Sequence, residues 1–144
     1  MSETPARLPI RPDLFVDADP PRLVGSRDRE TGEVFFPAEV MNPRTMREGT
    51  LERHEFDGGG TLVAWTVVAR GLPGFDSPYA MATILLDAGP GFIAQLHDWQ
   101  GQALRPGMRL RLVIARIRRE KDGSEVVGPK FVPVDAATPI PEAA

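Results

Sequence analysis

The chain has 144 residues, with 17 lysines and arginines against 20 aspartates and glutamates, so its formal net charge at neutral pH is −3. This length suffices for one hydrophobic core, and the weak negative charge gives no general attraction to nucleic acid or to an anionic membrane. There is no cysteine, which excludes disulfides and thiol chemistry, and the 15 prolines and 14 glycines interrupt the chain too often for long helices.

Both ends of the chain are expected to lie outside the main fold. Residues 1–19 are rich in proline and are predicted to be extended or partly helical, with a short helical turn near residues 13–18. Residues 136–144 are predicted to be a flexible tail. The first residues lack the features of a signal peptide and no apolar run is long enough to cross a membrane, so we expect a cytoplasmic location and no membrane partner.

Two brackets of four residues mark the segment 20–48. Asp28 and Thr31 bound the first bracket, and Asn42 and Thr45 bound the second. With cysteine at these four positions, the segment would have the spacing of two thiolate knuckles joined by a hairpin, which is the pattern of a structural zinc site. The spacing therefore predicts a degenerate zinc-ribbon hairpin, with strands near residues 22–27 and 33–36.

The residues that occupy the four ligand positions are wrong for zinc. One carboxylate, one amide and two hydroxyls are hard ligands that cannot replace four soft thiolates. We therefore expect the hairpin to persist without a metal, stabilised by apolar contacts, and we expect the purified protein to hold less than one zinc per chain.

Residues 49–135 have the pattern of a β-barrel. Six segments with strand character are each bounded by glycine, proline or aspartate, and a Lys-Asp-Gly-Ser turn joins the last two. These segments are residues 50–56, 61–71, 79–87, 92–98, 108–118 and 125–132. Short strands at this spacing predict an all-β protein, and their number is typical of an OB-fold barrel. In the segment 108–118 the apolar residues change face midway, as they do where a strand bends around a barrel at a bulge.

Several short motifs, taken in chain order, carry a resemblance to a known family. They are Pro-Arg-Leu-Val-Gly-Ser (21–26), Gly-Glu-Val-Phe-Phe-Pro (32–37), Gly-Thr-Leu-Val-Ala-Trp-Thr-Val-Val (60–68), Ser-Pro-Tyr-Ala (77–80), Leu-Arg-Pro-Gly-Met (104–108) and Phe-Val-Pro (131–133). The chain resembles small proteins that join a rubredoxin-like zinc ribbon to an OB-fold, long catalogued as a domain of unknown function. Those proteins accompany thiolases and lipid-transfer-type thiolase homologues that act on acyl-CoA thioesters.

The resemblance implies a non-catalytic accessory subunit that docks on a thiolase-like enzyme of lipid metabolism and helps to shape its acyl-CoA entrance. It implies an acyl-CoA ligand within the complex and no tightly bound cofactor. Arg70, Tyr79 and Arg109 are the candidates for the side chains that face the acyl-CoA, since arginine suits a ligand rich in phosphate.

Apolar residues in two places suggest where a partner contacts the chain. The strand 79–86 is apolar on both faces, so either the hairpin, a terminal segment or a partner covers it. Phe35 and Phe36, at the hairpin, are either core residues or anchors for the partner. Together with Met81, these phenylalanines are the candidate partner interface.

Two alternative functions stay open. The first is a single-strand nucleic-acid-binding OB protein, because the segment 105–121 is rich in arginine; the acidic balance of the chain and the division of these arginines between two faces disfavour it. The second is a stand-alone acyl-CoA-binding or thioesterase-like protein. No serine lies in a nucleophile elbow, and His54 and His97 are more simply read as strand residues, so no catalytic residue is assigned.

Overall fold

The computed structural model describes residues 6–134, and all the regular elements within that range are β-strands. Their bounds are β1 (Arg7–Pro9), β2 (Phe15–Val16), β3 (Arg22–Asp28), β4 (Val34–Phe35), β5 (Leu51–Asp57), β6 (Gly60–Val68), β7 (Tyr79–Leu86), β8 (Gly91–Gln95), β9 (Arg109–Arg119) and β10 (Glu125–Pro133). Strands β3 to β10 lie where the sequence predicts them. No helix among the described residues is long and apolar enough to cross a membrane.

The amino-terminal segment differs from its prediction. Residues 12–14 form a turn instead of a helix, and β2 follows directly and pairs with β3. The extended part contains β1, which adds a parallel strand to β10. Short extended segments of this kind gain their strand structure from a neighbouring edge, which local sequence does not show. The predicted tail at residues 136–144 lies outside the described residues.

Six strands form a curled sheet in the order β1-β10-β9-β6-β7-β8. The β9–β10 and β6–β7–β8 ladders are antiparallel, and β6 meets β9 only at Gly60 and Thr61. A parallel bridge between Leu96 and Phe131 brings the end of β8 against β10. Strands β6 to β10 therefore follow the strand order of an OB-fold, which confirms the predicted all-β class.

Bulges give this sheet its curvature. In β9, Ile117 has no partner opposite Val126 and Val127, so the strand shifts by one residue. This bulge lies a little beyond the middle of β9, where the sequence pattern changes face. A second bulge leaves Val63 without a partner in β6. Each bulge bends its strand and increases the local twist, which a small curled sheet requires.

The remaining strands form a small sheet organised around β3. β5 pairs with one edge of β3 along its whole length, whereas β2 and β4 share the other edge. Gly25, in the middle of β3, has no room for a side chain, because a Cβ atom there would collide with the carbonyl oxygen of Phe35. Glycine at this position allows β4 to pass close over β3.

The predicted boundary between residues 48 and 49 needs correction, because β5 belongs to the small sheet and not to the barrel. β3 and β5 pair over seven residues, and their charges are complementary. Arg22 faces Glu55 at 3.6 Å and Arg27 faces Glu52 at 3.9 Å, so opposite charges meet across the β3–β5 ladder. Gly58 and Gly59 then lead directly from β5 into β6.

Aromatic rings join the small sheet to the barrel. The ring of Phe36 lies 5.8 Å from that of Phe56 and 4.7 Å from that of Phe92. Phe92 in turn lies 6.4 Å from Phe131, which is fully buried in the barrel. The two sheets therefore share one hydrophobic core.

Candidate functional site

The two brackets fold into loops of the same geometry, each centred on the side-chain oxygen of its first residue. Asp28 Oδ1 accepts hydrogen bonds from the backbone N–H groups of Glu30 (2.7 Å) and Thr31 (3.1 Å). Asn42 Oδ1 accepts the equivalent bonds from Arg44 (2.9 Å) and Thr45 (3.2 Å). Aspartate and asparagine form such turns with their own backbone, which explains why these residue types suit both positions.

The match between the loops extends to the fifth residue of each. Gly32 and Met46 both have a positive φ, of 80° and 61°, and both donate their N–H to the carbonyl of the bracket's first residue at 2.8 Å. A left-handed conformation is easy for glycine and strained for methionine. The second loop therefore adopts the same turn as the first, although the left-handed conformation is unfavourable for Met46.

A hydrogen bond of 2.6 Å from Asn42 Nδ2 to Asp28 Oδ2 connects the two loops. The hydroxyl of Thr50 donates to the same oxygen at 3.0 Å. Asp28, Asn42 and Thr50 are buried, with exposed fractions of 1%, 0% and 5%, and the described residues contain no buried side-chain polar atom without a partner. We call these three residues the polar cluster. It is a saturated network, and such networks hold a buried structure in one arrangement.

The sequence identified two members of the polar cluster and missed the third. Asp28 and Asn42 come together as the bracket spacing suggests. Thr31 and Thr45 do not join them, because their hydroxyls accept from the backbone of Glu33 (3.2 Å) and Arg47 (3.4 Å) within their own loops. Thr50 lies outside both brackets, and its only sequence signal is its position just before β5.

The network holds Asp28 ionised. The hydrogen bond from Asn42 is the main cause that lowers the pKa of Asp28 to about 2, with further help from the amides of Glu30 and Thr31 and the hydroxyl of Thr50, against the opposing effect of burial. The carboxylate is therefore charged at neutral pH, and its negative charge is distributed over four donors.

These residues do not fit zinc. Asn42 turns its amide nitrogen, a donor, towards the carboxylate of Asp28, and the 2.6 Å between these atoms leaves no space for an ion. Among residues 6–134 there is also no group of three or more histidine, cysteine, aspartate or glutamate side chains placed to hold a metal. Hydrogen bonds thus occupy the place where the bracket spacing would put a metal.

The three side chains expected to face acyl-CoA lie in two separate places. Tyr79 pairs with Val68 at one end of the β6–β7 ladder, and the exposed Arg70 follows that end. Arg109 pairs with Thr61 at the other end, seven residues away, or about 23 Å along a strand. The three residues therefore cannot form a single acyl-CoA-facing rim, and they define two separate candidate positions.

Arg109 is also engaged by another side chain. It donates two hydrogen bonds to the carboxylate of Asp87, at 2.8 and 2.6 Å, and these lower the pKa of Asp87. An arginine held in this way has fewer donors left for a phosphate. Arg70 and Tyr79 are consequently the better placed pair.

The candidate partner residues also separate. Phe36 is only 7% exposed and lies in the core between the two sheets. It is therefore a core residue and not an anchor for a partner. Phe35 is half-buried on β4. Met81 lies on β7, half-buried, on the face that points away from the barrel interior.

The arginine-rich strand does not form a continuous basic groove in the described part of the chain. Four of its five arginines are paired with acidic residues: Arg109 with Asp87 at 2.6 Å, Arg116 with Asp76 at 2.5 Å, Arg118 with Glu120 at 3.0 Å and Arg119 with Glu125 at 3.8 Å. These ion pairs neutralise positive charge that would otherwise be available to bind the phosphates of a single-stranded nucleic acid.

Comparisons with known proteins give a consistent result. A family model described as the C-terminal OB-fold domain of ChsH2 matches residues 53–115. A "DUF35 domain-containing scaffold protein" of Pyrococcus furiosus is 33% identical over 116 residues, which cover 78% of this chain and 84% of that protein. A protein of the same description from Methanothermobacter thermautotrophicus is 31% identical over 114 residues, covering 77% and 86% of the two chains.

A solved structure shares the fold. It is described as "Ltp2-ChsH2(DUF35) aldolase" and superposes with a TM-score of 0.63 at 21% sequence identity, over 78% of this chain and 84% of that one. At this identity the likeness concerns the fold alone. The family relationship is shown instead by the curated relatives, whose sequences are about one third identical to this one over most of both chains.

Proposed function

The chain belongs to the family of DUF35 domain-containing scaffold proteins, and from this we propose that it is a non-catalytic accessory subunit of an enzyme complex. The main support for this proposal is the sequence similarity to proteins named as scaffolds, which extends over most of the length of both chains. The described residues fit this role, because the buried polar cluster is a saturated hydrogen-bond network that holds the two loops together.

The proposed partner is a thiolase-like enzyme of the lipid-transfer type that acts on acyl-CoA. The protein that shares this fold is named as an aldolase composed of Ltp2 and the DUF35 protein ChsH2, which supports a partner of this kind. In our proposal this chain stabilises the enzyme and shapes its acyl-CoA entrance, while the enzyme supplies the catalytic groups. The complex works in the cytoplasm, and coenzyme A thioester is bound in the complex and not by this chain alone.

We place the acyl-CoA-facing surface at the end of the barrel that carries Arg70 and Tyr79. The loop between β6 and β7 begins there and is ordered by a hydrogen bond from Gly71 N–H to Ser77 Oγ at 2.8 Å. The ring of Phe75 lies 5.9 Å from that of Tyr79 and supports the loop from within. Arg70 is exposed at its edge, where a flexible phosphate-bearing ligand can reach its planar group of donors.

The test is co-expression with the thiolase-like protein encoded nearest to this chain, followed by size-exclusion chromatography with mass detection. We expect one hetero-complex that is more active on acyl-CoA than the enzyme alone. Separate elution of the two proteins would contradict the proposal. Turnover of acyl-CoA by the isolated chain would instead favour the enzymatic alternative.

The acyl-CoA surface is tested within that complex by Arg70→Ala, with Arg53→Ala on β5 of the small sheet as the matched control. We expect Arg70→Ala to raise the KM for acyl-CoA by about tenfold, the usual effect of losing one charged contact. The control should leave the KM unchanged. An unchanged KM in Arg70→Ala would remove Arg70 from the acyl-CoA-facing surface while leaving the scaffold role intact.

A further inference from the structure

The outward side of β6, β7 and β8 is free of charge. The 22 residues of these three neighbouring strands include no aspartate, glutamate, lysine, arginine or histidine, whereas a quarter of the whole chain is charged. Residues on this side lie opposite one another in three neighbouring cross-strand rows. We call the resulting surface the uncharged face, and it consists of Ala64, Thr66, Met81, Thr83, Leu85 and Ile93.

Among the described residues, five of the six side chains of this face are exposed and only Met81 is half-buried. Ile93 is 64% exposed and Leu85 is 51% exposed, although both are large and apolar. The hairpin, which was one candidate to cover β7, packs instead on the other side of the sheet, where Phe36 contacts Phe92. The two-sided apolar pattern of β7 is therefore explained by the core on one side and by an open surface on the other.

Resting on the proposed function, we infer that the uncharged face is the docking site for the partner enzyme, and that it binds an uncharged, mainly apolar surface of that subunit. The chemistry of the face favours an apolar partner, and its continuity with the end that carries Arg70, the proposed acyl-CoA entrance, favours the enzyme as that partner. An acidic or basic protein, or a nucleic acid, would lose hydration on this surface without gaining any ion pair. An apolar surface has no charged groups to dehydrate, and it gains free energy by burying Ile93, Leu85 and Met81.

The size of the face sets how much of the interface it supplies. Three strands spaced at about 4.8 Å, with 22 residues in total at a rise of about 3.3 Å each, give an area of roughly 350 Å². A standard interface buries about 800 Å² on each partner. The face therefore forms the apolar centre of the interface, and the charged residues at its two ends, Arg70 at one and the Arg109–Asp87 pair at the other, lie where a polar rim belongs.

Two other occupants are possible in principle, and the test separates them. One is a second copy of this chain, whose own uncharged face is self-complementary. The other is the segment 135–144, which follows Val134 at a point where its N–H donates to Arg109, next to one end of the face. Each occupant changes the access of solvent to Ile93 under different conditions.

The absence of cysteine permits a direct measurement. We propose single-cysteine variants Ile93→Cys and, as the control on the small-sheet side, Val40→Cys, which is 92% exposed in the wild type. Their rates of alkylation by a maleimide are measured by mass spectrometry for the free chain and for the co-expressed complex with the thiolase-like enzyme. We expect Ile93→Cys to react rapidly when free and at least about tenfold more slowly in the complex, and Val40→Cys to react equally in both.

Lysine substitutions give the matching affinity measurement. Ile93→Lys should weaken binding of the enzyme by about 30-fold or more, because it buries an unpaired charge, and Val40→Lys should leave the affinity unchanged. Both variants should fold, since both side chains are exposed in the free chain.

The outcomes separate this inference from the proposed function. If the wild-type chain binds the enzyme but Ile93→Lys binds equally well, the docking site is elsewhere while the scaffold role stands. If the wild type does not bind, the function fails and the inference fails with it. Slow alkylation of free Ile93→Cys would also overturn the inference: acceleration on dilution would identify a second copy as the occupant, and acceleration on deletion of residues 135–144 would identify the tail.

Discussion

Replacing Asn42 with alanine removes the connection between the two bracket loops. The substitution deletes the 2.6 Å hydrogen bond to Asp28 and the acceptor for the N–H groups of Arg44 and Thr45. A hydrogen bond to a charged acceptor contributes roughly 1.5–3 kcal/mol and a neutral one about 1 kcal/mol. The two amides are near the surface and can bond to water instead, so we expect a loss of about 3 kcal/mol in the free energy of unfolding. For a chain of 144 residues this lowers the Tm by about 10 °C.

Urea and thermal denaturation at pH 7, followed by circular dichroism, measure this loss. The informative companion is Asn42→Asp, which keeps the acceptor for both amides but places a second carboxylate against the first. Since two such groups compete for one proton, we expect this variant to be destabilised at pH 7 and to recover stability as the pH is lowered to about 5. A change of less than about 3 °C in the Tm of Asn42→Ala would refute the idea that the polar cluster holds the loops together.

Three further outcomes are expected. The pKa of Asp28 is lowered, so its ionised form stabilises the fold above the ordinary value of 3.8, and this contribution is lost as the pH falls towards about 2; urea unfolding at several pH values, compared with Asp28→Asn, measures it. Met46→Gly should raise the free energy of unfolding by up to about 1 kcal/mol by relieving a positive φ at an exposed residue. Cysteine at positions 28, 31, 42 and 45 together should create a site for one zinc per chain, seen by elemental analysis, whereas the wild type should hold less than one.

Much of the fold could be predicted because its strands are clearly punctuated. β7 and β9 begin and end within one residue of their predicted bounds, and β9 contains a bulge a little beyond the point where its sequence pattern changes face. β1 and β2 could not be predicted, because each is a short segment whose pairing depends on a distant strand. The same limit explains the assignment of β5, since its membership of the small sheet depends on its ladder with β3, which its own sequence pattern does not show.

The site was harder to read from the sequence. The bracket spacing located Asp28 and Asn42, because a repeated loop leaves a local signal. Thr50 has no signal beyond its position just before β5, since it meets Asp28 only through the pairing of β3 with β5. The separation of Arg70 from Arg109 likewise depends on the length and register of the β6–β7 ladder, which arginine content alone does not reveal.

The polar cluster changes what the hairpin needs from its surroundings. A ribbon closed by thiolates and zinc is exposed to chelators, to metal shortage and to oxidants that attack sulfur. Here the loops are joined by a carboxylate, an amide and a hydroxyl, none of which is oxidised or withdrawn by competition for metal. We therefore expect the connection between the two loops to persist through zinc starvation and oxidation of thiols, conditions under which a ribbon closed by thiolates would release its metal.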